Sequence, residues 1–200
     1  MGTATEDAKN IIRQKQGIIR TAEALKAGIH PRTLYALRDQ GVLEQFSRGV
    51  YRLTELPSTA NPDLLTIALR VPQAVICLVS ALSFHGLTTQ IPHTINIAVE
   101  KGKRSPRINY PPIDVYHFSK TSFTAGVEKH EFEGTVIRVY SQEKTLADCF
   151  KFRNTLGMDV VLEALKFYRQ QNSFQVKELL EYAAVCRVQN VMKPYMEAVI

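Results

Sequence analysis

Apolar residues near the start of the chain recur first with a helical period and then alternate, which predicts two short helices followed by a hairpin. The first helix is predicted from Thr21 to Ala27, with Thr21 as its cap and Gly28 as the left-handed residue that ends it. The second helix is predicted from Pro31 to Gln40, since the missing amide of a proline is tolerated at the first helical position. Two helices joined by a short glycine turn are the arrangement that sets the second helix in the major groove of DNA.

The second predicted helix has one apolar and one polar side. Leu34 and Leu37 lie three residues apart and predict the side that faces the core. Arg32 and Tyr35 point the opposite way on a helical wheel. Because the N-terminal residues of a recognition helix lie nearest the base edges, these two residues are predicted to read the bases.

Two alternating runs follow the second helix, Val42–Phe46 and Val50–Leu53, around a turn that contains Gly49. They predict a β-hairpin, the wing of a winged helix-turn-helix. Its tip would approach the sugar-phosphate backbone, where Arg48 is predicted to contact a phosphate or to enter the minor groove, with Arg52 nearby.

The segment Leu56–Pro62 contains two prolines and small polar residues, and it predicts a domain boundary. Residues 1–56 are the predicted winged helix-turn-helix domain, and residues 62–200 are predicted to form a mixed α/β domain, so the fold class is α+β. Helices are predicted over residues 63–71, 80–85, 159–171, 176–185 and 191–200, and in a further segment that Ser141 caps. Strands are predicted over residues 74–79, 94–100, 113–118 and 135–140.

Charge is unevenly distributed along the chain. The sequence has 25 Lys and Arg against 19 Asp and Glu, which gives a formal net charge of +6. Between Ala8 and Leu53 there are nine basic and three acidic residues, so the net charge of this segment, which lies within the first predicted domain, equals the whole excess of the chain. A basic surface of this kind indicates an anionic partner such as DNA.

The cysteines and the lengths of the apolar runs argue against a metal site, disulfide bonds and a membrane-spanning segment. Cys77, Cys149 and Cys186 lie far apart in apolar runs, which predicts buried free thiols rather than a metal site or disulfides. The first ten residues are polar, and no apolar run approaches the roughly 18 residues of a membrane span, so a cytoplasmic protein without a membrane partner is predicted. No cofactor is predicted.

Four segments together resemble the AbiEi family of bacterial antitoxins. They are GIIRT from residue 17, RGVYRL from residue 48, SALSFHGLT from residue 80 and EKTLAD from residue 143. The resemblance extends over about residues 17–167, and the last two segments in this order are its more specific part.

The resemblance implies a type IV toxin–antitoxin system. In such a system the partner gene encodes a nucleotidyltransferase-like toxin, and the antitoxin represses the shared promoter through its winged helix, while its C-terminal domain carries the antitoxic activity. The DNA-binding role then applies to residues of the predicted helix and wing and to the arginine before the first helix. These are Arg20, Arg32, Thr33, Tyr35, Arg48 and Arg52. A repressor often binds inverted repeats, so either a dimer or two adjacent monomers would suit the operator.

A basic run after a predicted strand has two interpretations. Lys101, Lys103 and Arg104 lie in a stretch, residues 101–107, that contains no acidic residue. The run would add a phosphate contact to the interface or form a solvated loop.

Enzymatic interpretations find little support in the sequence, and the protein is predicted not to be an enzyme. A metal-dependent nuclease would need Glu100, Lys103 and Asp114, but the spacing of the first two does not place them on one face of a strand. His85 is too poorly spaced from Ser80 to act as its base, and no phosphate-binding glycine loop is present. The alternative to an antitoxin is a stand-alone regulator whose second domain senses a ligand or dimerises.

Overall fold

The structure is a computed structural model, and it describes residues 3–56, 61–132, 134–171 and 174–199. The chain divides into two compact units: the first runs to Arg70 and includes the segment 131–136, and the second contains the rest. Residues 57–60 of the predicted domain boundary lie outside the described residues. The division into domains at residues 1–56 and 62–200 stays a prediction. The predicted α+β class, a winged helix-turn-helix followed by a mixed sheet domain, is confirmed.

The first unit is a set of helices against a three-stranded sheet of order β1-β3-β2. Both strand pairs of this sheet are antiparallel. Its elements are α1 (Thr3–Gln14), β1 (Ile18–Arg20), α2 (Thr21–Lys26), α3 (Pro31–Asp39), β2 (Leu43–Ser47), β3 (Val50–Leu53) and α4 (Pro62–Arg70). One core holds this unit together, and it includes Ala8, Ile12, Ile19, Ala24, Ile29, Leu34, Leu37, Leu43, Tyr51 and Leu53.

Two local details of the first unit differ from the sequence analysis. Helix α1 was not predicted, because its polar sequence buries little more than Ala8 and Ile12. Thr21 was predicted to cap α2, but it is the first helical residue, and Arg20 precedes it as the cap. The Glu23 carboxylate accepts a hydrogen bond from the Arg20 amide at 3.2 Å, which satisfies one amide of the helix start. The Thr21 hydroxyl donates instead to the carbonyl oxygen of Gly49 at 3.3 Å.

The second sheet has five strands in the order β6-β5-β4-β8-β7, and it mixes parallel and antiparallel neighbours. The strands are β4 (Val75–Ile76), β5 (Ile95–Glu100), β6 (Ile113–Phe118), β7 (Val127–Phe132) and β8 (Thr135–Tyr140). The helices are α5 (Leu78–Phe84), α6 (Lys120–Thr124), α7 (Gln142–Lys151), α8 (Arg153–Leu156), α9 (Met158–Gln170), α10 (Val176–Cys186) and α11 (Gln189–Val199). Most predicted elements of this domain are present with shifts of one or two residues at their ends.

Two predicted elements of the second domain needed larger corrections. The strand predicted over residues 74–79 contains only Val75 and Ile76, because α5 begins at Leu78. Ser80, the predicted first residue of that helix, lies inside it, and its hydroxyl accepts from the Asn96 amide at 2.9 Å. The predicted cap of α7 is confirmed, since the Ser141 hydroxyl accepts from the Lys144 amide at 3.2 Å.

Helix α7 lies in the centre of the second core. Its residues from Glu143 to Phe150 are all buried. The three cysteines are free and buried, as predicted, and burial raises the pKa of the Cys77 and Cys149 thiols well above the ordinary value. The core around α7 also includes Leu78, Leu82, Phe118, Tyr140, Val161, Leu165, Tyr168, Leu179, Ala183 and Met192.

Candidate nucleic-acid interface

Helix α3 is held in place by its buried face and by a hydrogen bond at its N-terminus. Leu34 and Leu37 are fully buried in the core of the first unit. Pro31 occupies the first turn, and the Nδ1 atom of His30 accepts a hydrogen bond from the Arg32 amide at 3.2 Å. The side chain of His30 therefore replaces an intrahelical partner that the first turn lacks. The rotation of α3 about its axis is set by the two leucines, which leaves its opposite side to solvent.

The solvent side of α3 carries the predicted base-reading residues. Arg32 is exposed, Thr33 is half-buried, and Tyr35 is 45% exposed. The guanidinium of Arg38 lies 5.3 Å from the centre of the Tyr35 ring and forms an ion pair with Asp39 at 2.8 Å. The hydrogen bond and the charge of Asp39 raise the pKa of Arg38, which stays cationic. The structure thus places Arg32 and Tyr35 on one accessible surface.

The wing is held against the start of α2. Gly49 has φ +76°, a left-handed conformation that glycine adopts at low cost and that closes the turn between β2 and β3. The Gly49 carbonyl oxygen accepts hydrogen bonds from the Thr21 amide at 2.9 Å and from the Thr21 hydroxyl at 3.3 Å. The neighbouring Arg48 is exposed at the tip of the wing. This anchoring gives the tip a defined position although the turn is short.

The structure separates Arg52 from the other predicted contacts. Arg52 is 3% exposed, and its Nη1 atom lies 2.9 Å from a carboxylate oxygen of Glu44. Its strand β3 is the middle strand of the small sheet, and Arg52 faces Glu44 on one side and Ile18 on the other. A buried, paired guanidinium has lost the solvent access that a phosphate contact requires. The proposed interface below therefore omits Arg52.

Arg20 lies beside the wing tip. It ends β1, directly before α2, and is half-buried. Arg20 and Arg48 line the same cleft of the first unit. Two residues that were predicted to bind DNA therefore lie at one place.

The basic run after β5 is exposed. Lys101, Lys103 and Arg104 belong to the second unit and follow the last residue of β5 in a turn. Their contact with DNA stays a prediction.

The residues that would have supported a nuclease or hydrolase do not converge. Strands β5 and β6 pair in parallel with Asn96 opposite Asp114 and Glu100 opposite Phe118, so the two acids lie four residues apart along the pair, roughly 13 Å. The His85 Nε2 atom lies 2.7 Å from the carbonyl oxygen of Tyr140, and burial lowers the pKa of His85. Among the described residues, no group of three His, Cys, Asp or Glu is arranged to hold a metal ion.

No described helix has the length and apolarity needed to cross a membrane.

Comparisons with known proteins address the fold and the first unit. No curated protein matches the chain significantly. The structure is similar to the crystal structure of the RV2827C protein from Mycobacterium tuberculosis, with a TM-score of 0.55 and 13% sequence identity over 98% of this chain and 82% of that one. At this identity the similarity concerns the fold alone. Residues 6–54 match a family model described as "Transcriptional regulator, AbiEi antitoxin". The matched segment forms the winged helix-turn-helix, so the similarity to this family lies in that part of the chain.

Proposed function

We propose that the protein is a DNA-binding repressor of its own promoter and an antitoxin that counteracts a nucleotidyltransferase-like toxin. The observation that carries the proposal is the exposed side of α3, where Arg32 and Tyr35 stand outward while Leu34 and Leu37 hold the helix in the core. Arg32, Thr33 and Tyr35 read base edges in the major groove, and Arg48 holds the backbone from the wing. A repressor of this kind works where chromosomal DNA lies, so the proposal includes a cytoplasmic location.

The charge of the segment that includes α3 and the wing supports this assignment. From Ala8 to Leu53 this segment has nine basic and three acidic residues. Phosphate neutralisation supplies most of the affinity of such proteins, and it makes binding fall steeply with salt. Base contacts add the preference for one sequence.

Replacing Arg32 and Arg48 separately by alanine distinguishes the two kinds of contact. Loss of a base-reading arginine is expected to weaken binding to the protein's own promoter by roughly 1–3 kcal/mol and to relax its sequence preference. Loss of a phosphate contact at Arg48 is expected to weaken all duplexes alike and to reduce the slope of log affinity against log salt by about 0.9. Gel shifts on the promoter and on a scrambled duplex of equal length, repeated across salt, measure both effects.

Lys15→Ala is the matched control, because Lys15 is exposed in the turn before β1, and the start of β1 pairs with the end of β3 that is away from the wing tip. This variant should bind as the wild type does. Indistinguishable behaviour of Arg32→Ala and Arg48→Ala would refute the division of roles. Failure of the wild type to prefer its own promoter would refute the proposed repressor.

The antitoxic part of the proposal is tested by co-expression with the product of the adjacent gene. The proposal requires this product to be a nucleotidyltransferase-like toxin that arrests growth when expressed alone. Expression of this protein should restore growth, and the Arg32→Ala variant should restore it equally, because the C-terminal domain carries the antitoxic activity. Growth arrest that persists in the presence of the wild type would contradict the antitoxic role and leave DNA binding untouched.

A further inference from the structure

Three arginines surround one cleft of the first unit. The cleft has a volume of 530 Å³ and is lined by Arg20, Arg48, Gly49, Val50, Leu69 and Arg70. No acidic residue is among those that line it, and none of the three guanidinium groups forms an ion pair with another described residue. Three cations gathered around an open cleft without an anion repel one another, so the arrangement favours a negatively charged ligand.

One polar atom of Arg20, a residue that lines this cleft, lacks a partner. The Nε atom of Arg20 is buried, and within the described part of the chain it has no hydrogen-bond acceptor. A buried N–H group without an acceptor costs free energy, so the described part of the protein leaves the Arg20 side chain incompletely hydrogen-bonded. Glu23 is the nearest acid along the chain, but its carboxylate accepts from the backbone amide of Arg20.

Arg70 owes its position to the packing of α4. Leu65 and Leu69 of this helix pack with Ile18 and Val50 of the small sheet in a separate apolar cluster. The last residue of the helix, Arg70, then donates from Nη1 to the carbonyl oxygen of Arg48 at 2.8 Å. The guanidinium is thereby held beside the tip of the wing, and its remaining N–H groups are left for other acceptors. A residue far from the predicted interface along the chain thus stands beside it.

We propose that Arg20, Arg48 and Arg70 together bind one phosphodiester group of the DNA backbone, and that Arg70 is therefore a DNA contact outside the helix-turn-helix and wing. The inference rests on the proposed function, since it takes the ligand to be DNA. A guanidinium presents paired N–H donors whose geometry matches two phosphate oxygens, and three such groups can serve one phosphate from different sides. The same chemistry would accept free phosphate, which the experiment separates from DNA.

The test is DNA binding by full-length Arg70→Gln, measured by fluorescence anisotropy across salt on the promoter duplex and on a scrambled duplex. Loss of one phosphate contact should lower the slope of log affinity against log salt by about 0.9 and weaken binding about eightfold at 0.1 M salt, on both duplexes. Arg70→Lys keeps the charge and should retain most of the slope. Lys15→Gln removes one exposed charge elsewhere in the unit and should change neither quantity by a comparable amount.

Three other results would overturn the inference, each in a different way. If Arg70→Gln binds both duplexes as the wild type does while Arg48→Gln is weakened, DNA binding stands and the three-arginine site is wrong. If the wild type binds neither duplex, the proposed function itself fails. If inorganic phosphate raises the unfolding temperature of the wild type but not of Arg70→Gln at equal ionic strength, and DNA affinity is unchanged by the substitution, the site binds free phosphate instead of DNA.

Discussion

Replacing Asp148 with asparagine is expected to lower the free energy of unfolding by about 3–5 kcal/mol. Asp148 and Lys144 form an ion pair within α7, and both side chains are 0% exposed. Asparagine has nearly the same volume as aspartate, so the substitution removes the charge without opening a cavity. The ammonium of Lys144 is then left in the core without a carboxylate, which is the costly case for a buried charge.

The surroundings of the pair show why no other group replaces the carboxylate. The Cys186 thiol donates to the second oxygen of Asp148 at 3.1 Å, and the Lys144 ammonium lies 4.2 Å from the centre of the Tyr140 ring. Burial raises the pKa of Asp148, and the charge of Lys144 partly offsets this shift. An aromatic face attracts a cation, but more weakly than a carboxylate in direct contact. The charge of Lys144 is therefore compensated in the core mainly by the Asp148 carboxylate.

Urea unfolding followed by circular dichroism measures the effect. Glu197→Gln is the matched control, because Lys193 and Glu197 form an ion pair with the same spacing on α11, but their side chains are 73% and 67% exposed. Loss of this exposed ion pair should lower the free energy of unfolding by less than about 0.5 kcal/mol. The double variant Lys144→Met with Asp148→Leu removes both charges and should be close to neutral or stabilising. A cost below about 1 kcal/mol for Asp148→Asn would show that the pair is not the buried interaction described above.

The buried pair also clarifies what the EKTLAD segment does. This segment carries much of the resemblance to the antitoxin family, but every residue of it is buried in the second core. Its Glu143 accepts a hydrogen bond from the Tyr168 hydroxyl, and its Thr145 donates to the Tyr140 carbonyl oxygen at 3.2 Å. The segment therefore maintains the fold of the second unit, and the proposed antitoxic activity requires a surface formed by other residues.

The elements that sequence predicted well are those with a strong local signal. Helix α3 has a proline at its start, two leucines at helical spacing and a glycine after its end, so its limits and its buried side could both be read from the sequence. Strand β7 was missed because its residues 128–131 are all charged or histidine, as suits a strand at the edge of a sheet. Strand β7 forms because it lies next to β8 in the sheet, and its own residues do not indicate this pairing.

The candidate site shows the same limit. The predicted exposure of Arg32, Tyr35 and Arg48 follows from their places on a helix and a turn. Arg52 lies in β3, which is the middle strand of the sheet because the three-residue strand β1 pairs along its other edge, and its burial could not be read from the wing alone. The position of Arg70 beside the wing depends on the packing of α4 against the small sheet. From the sequence, this helix is predicted in the second domain, because the two prolines predict the domain boundary. Both require knowledge of contacts between distant segments.

Adjacent residues of α3 are expected to respond in opposite ways to the same substitution. Leu34→Ala should lower the free energy of unfolding by about 2–5 kcal/mol, because Leu34 is fully buried and its truncation leaves a cavity beneath the helix. Tyr35→Ala should change stability by less than about 1 kcal/mol, because nearly half of Tyr35 is exposed and its ring lies beside the guanidinium of Arg38.

DNA binding reverses the order of the two variants. Under conditions in which both are folded, Leu34→Ala should bind the promoter nearly as the wild type does, since its exposed side is unchanged. Tyr35→Ala should bind several-fold more weakly, because it removes a side chain from the surface that we propose enters the major groove. Urea unfolding and anisotropy on the same preparations give both quantities. Equal loss of DNA affinity in the two folded variants would mean that α3 acts only through its packing, and that the exposed side of this helix does not read the bases.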